Sequence, residues 1–211
     1  MAFRRRQPSP DEKASTADAP QLVKSRLLPQ LFAGLNDRAH ISVLDLGAGS
    51  AATLSFFGQL ETPAKITFAD ALDLTGQLRP ATDDEPFDFS QTVQIWQSHL
   101  ALQSGDQIDY LLMWDYLHYF EPSVIEALSS ALQPYVHRES RGYGFGSLHS
   151  DKPIRGGVYA IGDEESVAIT PDPAPLPFAH SQQVIADNFV CMQITRGTLL
   201  QEGHLELLFE A

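Results

Sequence analysis

Cysteine is almost absent from this 211-residue chain, in which Cys191 stands alone. A single thiol excludes a disulfide framework and any zinc site built on cysteines, and it suits a reducing compartment. Long hydrophobic runs are also missing, since none approaches the ~20 apolar residues that span a bilayer. We therefore expect a cytoplasmic protein that is not embedded in a membrane.

Basic residues are scarce, because 14 Lys and Arg stand against 27 Asp and Glu and give a formal net charge of −13. No Lys or Arg lies between Arg79 and Arg138, whereas nine acidic residues do. Nucleic-acid binding needs clustered cations that displace counterions from phosphates. The one such cluster is the arginine triplet at residues 4–6, so we expect no nucleic-acid partner.

Composition divides the chain into a tail and one domain. Residues 1–20 are rich in Pro, Ser, Ala and charge without apolar periodicity, which predicts a disordered tail. Residues 21–211 form the predicted domain. At its start, apolar residues recur at three- and four-residue steps from Leu22 to Leu35, a pattern that predicts a helix.

Short apolar runs then alternate with helical stretches, an order that predicts an α/β fold with a parallel sheet. After a further short helix at 181–188, the chain ends in two runs joined by a loop short enough for a hairpin. This ending predicts an antiparallel finish. The predicted strands are residues 41–46, 65–69, 92–96, 110–114, 143–148, 189–195 and 204–209, and the longer helices are 51–60 and 122–136.

A glycine turn follows the first of these strands. Gly47, Ala48 and Gly49 end a buried run, and a helical stretch comes next. Glycines let a ligand approach the main chain, and the helix directs free N–H groups toward the same place. Asp70 lies 21 residues after Gly49, at the tip of the next strand, where a carboxylate can accept hydrogen bonds from ribose hydroxyls.

Asp45 makes this turn more specific, because an acid two residues before the first glycine is not part of the dinucleotide fingerprint. The segment Asp45–Gly49 resembles the first motif, acid-x-Gly-x-Gly, of the class I S-adenosylmethionine-dependent methyltransferases. Ile108–Phe120 is similar to that family's fourth strand and the motif that follows it. The resemblance covers about residues 22–211 and implies a Rossmann-like, seven-stranded, mostly parallel sheet with an antiparallel C-terminal strand and helices on both faces.

The resemblance also implies S-adenosylmethionine as the cofactor and a set of residues around it. The acidic middle of the chain suits a ligand that carries a sulfonium and an ammonium. The matching positions are Asp45, Gly47, Ala48 and Gly49 for the methionine part, Asp70 for the ribose, Ala71 or Leu72 for the adenine, Ser98 or His99 for the adenine amine, and Asp115 beside the methyl donor.

Two histidines are candidate proton acceptors. His118 follows the fourth strand and His149 follows the fifth, at the sheet edge where open α/β folds bind ligands. Imidazole titrates near neutrality, so either ring could take a proton from a hydroxyl or amine nucleophile. The alternative for His118 is that it packs over the cofactor or caps the following helix. The remaining histidines show no pairing that suggests a metal site.

The segment 150–178 is an insert relative to a minimal fold of this class. Residues 157–161 and 166–169 flank Gly162, Asp163, Glu164 and Glu165 and predict a β-hairpin. An insert at this point would lie over the substrate side, with Arg155, Tyr159 and Tyr119 as candidate acceptor contacts. A covering for the sheet edge is an equally open interpretation.

The sequence favours methyl transfer to a small molecule or a protein side chain. Ala51 replaces the third glycine of the family motif, and residues 76–90 are longer and more polar than expected. A non-catalytic methyltransferase-like module that binds a partner protein therefore stays open. A nicotinamide-dependent oxidoreductase also stays open, because Gly47–Ala52 fits Gly-x-Gly-x-x-Ala. The oligomeric state is open as well.

Overall fold

The computed structural model describes residues 20–78, 86–148, 155–200 and 205–211. The predicted tail lies outside this part of the chain up to residue 19, as do parts of the 76–90 and 150–178 segments. The helices and strands are β1 (Gln21–Lys24), α1 (Leu28–Leu31), β2 (Ile41–Asp45), α2 (Ala51–Gly58), β3 (Ala64–Phe68), α3 (Phe89–Leu100), β4 (Ile108–Trp114), α4 (Pro122–Leu132), β5 (Val136–Gly146), β6 (Arg155–Asp163), β7 (Ser166–Pro175), α5 (Gln182–Asn188), β8 (Gln193–Leu199) and β9 (Leu205–Glu210).

Six strands form the main sheet in the order β3-β2-β4-β5-β9-β8. Strands β3, β2, β4 and β5 are parallel to their neighbours, whereas β9 is antiparallel to both β5 and β8. The fold is therefore α/β with a mixed sheet. The predicted antiparallel C-terminal strand is confirmed.

The predicted third strand at Thr92–Trp96 is wrong, because this stretch lies within α3. Asp88 begins the helix by accepting a backbone hydrogen bond from its first turn at 2.9 Å. Thr92, Trp96 and Leu100 are its buried residues, and their four-residue spacing is that of one helix face. Within the described part of the chain the main sheet therefore has six strands, where seven were predicted.

The predicted helix from Leu22 to Leu35 is wrong at its start. Residues Gln21–Lys24 form β1, which pairs antiparallel with β7. The α-helical part is Leu28–Leu31, and a separate 3-10 turn spans Leu35–Asp37. A two-stranded hairpin is marginally stable alone and gains from a third strand. Pairing with a distant part of the chain therefore overrides the local helical pattern.

Two predicted strands have shifted bounds. The strand predicted at 143–148 is β5, which runs over Val136–Gly146. The strand predicted at 189–195 is β8, which runs over Gln193–Leu199. Both pair with β9 on either side of it, so that Arg141 and Gln193 both lie opposite Glu210. The common partner strand sets these bounds.

Strands β1, β7 and β6 form a second, antiparallel sheet in that order. The hairpin of β6 and β7 is closed by the pair Asp163 and Ser166. This small sheet lies against α2, where the Ile161 N–H donates to Thr53 Oγ1 at 3.1 Å. It also contacts Asp115, directly after β4. The small sheet therefore covers the edge at which the parallel strands end.

Helices cover both faces of the main sheet, as right-handed crossovers require. On one side the Phe32 ring, after α1, lies 5.2 Å from Phe56 of α2 and 5.7 Å from Tyr110 of β4. On the other side α3 and α4 pack together, and Trp96 Nε1 donates to the Val124 carbonyl at 3.3 Å. No helix in the described residues is long and apolar enough to cross a membrane.

Asp109 joins the amino ends of three neighbouring strands. Its Oδ2 accepts the Ser42 N–H of β2 at 2.7 Å. Its Oδ1 forms an ion pair with Arg38 and lies 3.4 Å from His137 Nε2 of β5. These contacts give Asp109 a structural role at this edge of the sheet.

We predict that Asp109→Ala lowers the free energy of unfolding by about 2–4 kcal/mol, because the Arg38 guanidinium and the Ser42 N–H lose their partner. Urea unfolding measures the loss. Asp106→Ala is the matched control at the same edge, since its partner Lys65 is largely exposed and such pairs contribute little. Equal losses in the two variants would contradict the assignment.

Candidate functional site

The turn after β2 is built on the carboxylate of Asp45, which is 2% exposed. Its Oδ1 accepts hydrogen bonds from the Gly47 N–H at 2.9 Å and from Trp114 Nε1 at 2.7 Å. Trp114 ends β4 with a φ of 49°, a left-handed conformation that is uncommon for a bulky residue. One carboxylate oxygen therefore ties the turn to the end of the neighbouring strand.

The geometry of this turn requires its glycines. Gly49 has a φ of +86°, and a Cβ there would lie 3.2 Å from the Phe68 ring. A Cβ on Gly47 would lie 3.1 Å from the Tyr116 hydroxyl. Ala48 and Gly49 are exposed, so a ligand can reach the backbone of the turn from solvent.

The first turn of α2 is capped by the protein itself. The Ser50 hydroxyl accepts hydrogen bonds from the N–H groups of Ala52 at 3.1 Å and Thr53 at 3.3 Å. Sites for a dinucleotide pyrophosphate use such N–H groups for phosphate oxygens. The capping by Ser50 therefore disfavours the nicotinamide interpretation.

Asp70 lies beside the turn, directly after β3. The flanking N–H groups of Ala69 and Ala71 donate to the carbonyls of Asp45 and Leu46 at 2.8 and 2.9 Å. Asp70 Oδ1 accepts the N–H two residues on at 3.0 Å. Within the described part of the chain Oδ2 has no such partner, which leaves one oxygen for a ligand.

The residues expected near an adenine ring differ in placement. His99 approaches Asp70, since its Nε2 lies 2.8 Å from the Asp70 carbonyl oxygen. Ser98 is exposed on α3, and Leu72 is half-buried. Ala71 is fully buried. The structure therefore brings His99 to the turn, whereas Ser98 faces solvent and Ala71 lies in the core.

Asp115 lies at the same sheet edge and is 2% exposed. Its Oδ2 accepts hydrogen bonds from the Tyr159 hydroxyl at 2.8 Å and the Gly157 N–H at 3.2 Å. Its Oδ1 is buried and has no hydrogen-bond partner among the described residues. Such an oxygen is rare in native proteins and points to a proton or a ligand that completes it.

Burial raises the pKa of both buried carboxylates. Desolvation raises the pKa of Asp45 to about 6, despite the hydrogen bonds it accepts, and the charge of Asp70 adds to the rise. Desolvation raises the pKa of Asp115 to about 7, and Asp172 adds to it. Both groups therefore lose their protons close to neutral pH.

Asp45, Asp70 and Asp115 form an acidic edge of the sheet, and no Lys or Arg in the described residues pairs with it. The ion pairs of the structure involve other side chains, and none includes Asp45, Asp70 or Asp115. Burial and these three carboxylates raise the pKa of Tyr116 above its ordinary value, so its hydroxyl stays neutral. No group of His, Cys, Asp and Glu in this part of the chain is arranged to hold a metal ion.

Two of the three predicted acceptor contacts lie close to Asp115. Tyr159 is buried, and its ring stacks on that of Trp114 at 5.6 Å. Tyr119 is half-buried, and its hydroxyl would lie 2.7 Å from a Cβ on Gly156. Arg155 is exposed at the start of β6, where it has no described contact with Asp115.

His118 is fully buried, and both ring nitrogens face backbone groups. Nδ1 accepts the His180 N–H at 3.0 Å, and Nε2 lies 3.1 Å from the Phe145 carbonyl oxygen. A proton on Nε2 satisfies both contacts. This geometry does not support a proton-acceptor role for His118 and favours the packing alternative. His149 lies outside the described residues.

Sequence reasoning missed two residues of the site. Trp114 is buried, as is expected of an aromatic residue in an apolar strand, and its indole N–H also holds Asp45. A buried indole N–H usually needs an acceptor, which was the available signal. Tyr116, whose hydroxyl lies beside Gly47, had no signal beyond its position next to Asp115.

Comparison with solved structures finds methyltransferases. The chain matches 1,6-didemethyltoxoflavin-N1-methyltransferase of Burkholderia thailandensis at 16% identity and a TM-score of 0.46, over 88% of this chain and 76% of that one. It matches an S-adenosylmethionine-dependent methyltransferase of Clostridium acetobutylicum at 9% identity and a TM-score of 0.46, over 89% and 92%. A third match is the pyocyanin biosynthetic protein PhzM, at 11% identity and a TM-score of 0.46, over 87% of this chain and 54% of that one.

No protein-family model and no curated protein sequence matches the chain. At these identities and TM-scores, the structural likeness carries no conclusion about the residues, substrate or chemistry of this protein. The chain's own contacts therefore carry the functional argument.

We predict that Asp115→Asn makes the protein more stable at pH 8. Native Asp115 holds its proton up to about pH 7, whereas the unfolded residue loses it near its ordinary pKa of 3.8. Stability therefore falls as pH rises between these values. Asparagine keeps an oxygen for Tyr159 and removes the buried charge, so the gain at pH 8 should be roughly 2–4 kcal/mol.

Urea unfolding at pH 4 and pH 8 measures this difference, which should vanish at the lower pH. Asp73→Asn, at an exposed position, is the matched control and should change neither value. A variant at Asp115 that is less stable than the native protein at pH 8 would refute the buried-charge explanation.

Proposed function

We propose that this protein transfers a methyl group from S-adenosylmethionine to a small molecule or a protein side chain. The observation that carries the proposal is the acidic edge of Asp45, Asp70 and Asp115, which has no balancing cation in the described residues and lies beside a solvent-facing glycine turn. S-adenosylmethionine bears a sulfonium and an ammonium, and a negative cleft attracts such a ligand.

The residues present fit this cofactor. Asp45 and the backbone of Gly47–Gly49 would hold the methionine part, because the Asp45 carboxylate lies next to a turn whose residues Ala48 and Gly49 are exposed to solvent. Asp70 would hold the ribose through Oδ2, which has no hydrogen-bond partner in the described residues, with Leu72 and His99 nearest the adenine. The cofactor carries no phosphate, so the capping of α2 by its own serine is compatible with it.

When bound, the cofactor supplies a methyl group on positively charged sulfur. The protein's contribution is mainly orientation, since a nucleophile held in line at ~3–3.5 Å gains most of the advantage from position. Asp115, which the predicted site places beside the methyl donor, can hold or accept a proton at Oδ1. The β6–β7 hairpin covers this edge and would exclude water from it.

We place the methyl acceptor between Asp115 and the hairpin. Tyr159 and the Gly157 N–H orient Asp115 from the hairpin side. Half-buried Tyr119 lines the approach to this position, and exposed Arg155 lies at its rim. His118 is given a packing role in this arrangement.

Isothermal titration calorimetry with S-adenosylmethionine tests the cofactor assignment. We predict binding that Asp70→Asn weakens about tenfold, because the variant keeps the backbone cap but loses a charged acceptor for the ribose. Asp73→Asn, exposed in the same segment, should bind as the native protein does. NADH should give no heat.

Three other results of this titration would contradict the cofactor assignment or the role of Asp70. No heat with millimolar S-adenosylmethionine would contradict the proposal and favour a partner-binding module. Binding of NADH in its place would favour the oxidoreductase. Equal affinities in the two variants would show that Asp70 does not contact the ligand.

The affinity for S-adenosylmethionine should depend on pH through Asp45. Only the ionised carboxylate attracts the ligand's ammonium, and burial raises the pKa of Asp45 to about 6. Affinity should therefore be about tenfold weaker at pH 5 than at pH 7. Calorimetry in two buffers of different ionisation enthalpy should show proton release at pH 6. Asp45→Asn should lose this pH dependence, and a pH-independent affinity in the native protein would contradict the role of Asp45.

A further inference from the structure

We infer that the methyl acceptor is an amine, which binds at Asp115 as an ammonium and gives a proton to Asp115 Oδ1 before transfer. This inference rests on the proposed function and names the substrate class of the same site. It starts from Asp115 Oδ1, a buried polar atom that has no hydrogen-bond partner among the described residues.

The two oxygens of Asp115 differ. Oδ2 is fixed by the Tyr159 hydroxyl and the Gly157 N–H, whereas Oδ1 is buried without a hydrogen-bond partner among the described residues. A buried carboxylate oxygen in this state lacks several kcal/mol of solvation that a donor would restore. An ammonium is the donor that also neutralises the charge.

The surroundings of Asp115 select for a positive ligand. Asp172 adds a second negative charge within range of both Asp115 and Tyr119. The rings of Tyr116 and Tyr119 lie 6.2 Å apart next to it, and aromatic faces attract cations. A carboxylate-bearing acceptor would meet repulsion here, and a neutral alcohol would not stabilise the ionised form of Asp115.

The two buried carboxylates face different ligands in this arrangement. Asp45 Oδ1 is held by Gly47 and Trp114, on the side of the glycine turn. Asp115 takes its hydrogen bonds from β6, on the side of the hairpin. Asp45 therefore serves the cofactor, and Asp115 serves the acceptor.

The chemistry balances without another reactant. The ammonium gives one proton to the Asp115 carboxylate and becomes a neutral amine. The lone pair of the amine then forms a C–N bond to the methyl carbon while the C–S bond breaks and its electron pair stays on sulfur. The products are a methylated ammonium, neutral S-adenosylhomocysteine and protonated Asp115, which returns its proton to water.

Matched probes of one shape and different charge test this inference. Benzylamine and benzyl alcohol are titrated into the protein saturated with S-adenosylhomocysteine, and the indole N–H signal of Trp114 is followed by NMR. Trp114 suits this purpose because it stacks on Tyr159, which contacts Asp115. We expect benzylamine to bind at least about tenfold more tightly than benzyl alcohol in the native protein.

Asp115→Asn should bring the two affinities together, and the exposed variant Asp73→Asn should keep the difference. Saturation with S-adenosylhomocysteine is measured first, so its failure would overturn the proposed function itself. With that ligand bound, three results would overturn the amine inference alone. They are equal binding of the two probes in the native protein, an amine preference that survives in Asp115→Asn, and no benzylamine binding at tens of millimolar.

Discussion

A single carboxylate oxygen, Asp45 Oδ1, joins the glycine turn after β2 to the indole of Trp114 at the end of β4. Trp114 has a left-handed backbone conformation, and Asp115 follows it directly in the chain. The position of the turn and the position of Asp115 are therefore set by the same contact. Asp115 in turn accepts a hydrogen bond from Tyr159, so the connection continues into the small sheet. The site thus depends on one buried acceptor that holds elements from three parts of the chain.

The site is charged at the expense of stability. Two carboxylates are buried at one sheet edge, and no lysine or arginine in the described residues pairs with them. The opposite edge shows the contrasting arrangement, since half-buried Asp109 there has Arg38 as its partner. A fold selected only for stability would neutralise both edges alike. This contrast supports the proposal that the unbalanced edge binds a cation.

Much of the architecture could be predicted from the sequence. The strands β2, β3 and β4 are short runs rich in apolar residues, as buried parallel strands are, and the glycines mark the turn between β2 and α2. Thr92–Trp96 was wrongly predicted as a strand because its β-branched and aromatic residues also fit one buried helix face. Gln21–Lys24 was wrongly predicted as helix because it pairs with β7, about 140 residues away, and this pairing overrides the local helical periodicity.

The candidate site was harder to predict, for a similar reason. Motif spacing located Asp45, Asp70 and Asp115, whose positions follow from strand ends. The contacts of Trp114 and His118 depend on backbone conformation and on residues far along the chain, such as His180. Spacing alone could not distinguish a histidine whose nitrogens face solvent from one whose nitrogens face carbonyl and amide groups. The lack of Lys and Arg between Arg79 and Arg138 was visible in the sequence, but the burial of Asp45 and Asp115 without a pairing cation was not.

In the free protein no Lys or Arg of the described residues pairs with Asp45 or Asp115, and we propose that a bound ligand supplies the missing positive charge. Carbon-13 NMR of the Asp45 and Asp115 carboxyl carbons across a pH titration tests this most directly. We expect pKa values of about 6 for Asp45 and about 7 for Asp115 in the free protein, and a fall in the pKa of Asp45 when S-adenosylmethionine is added. Ordinary values in the free protein, or values that the ligand leaves unchanged, would contradict it.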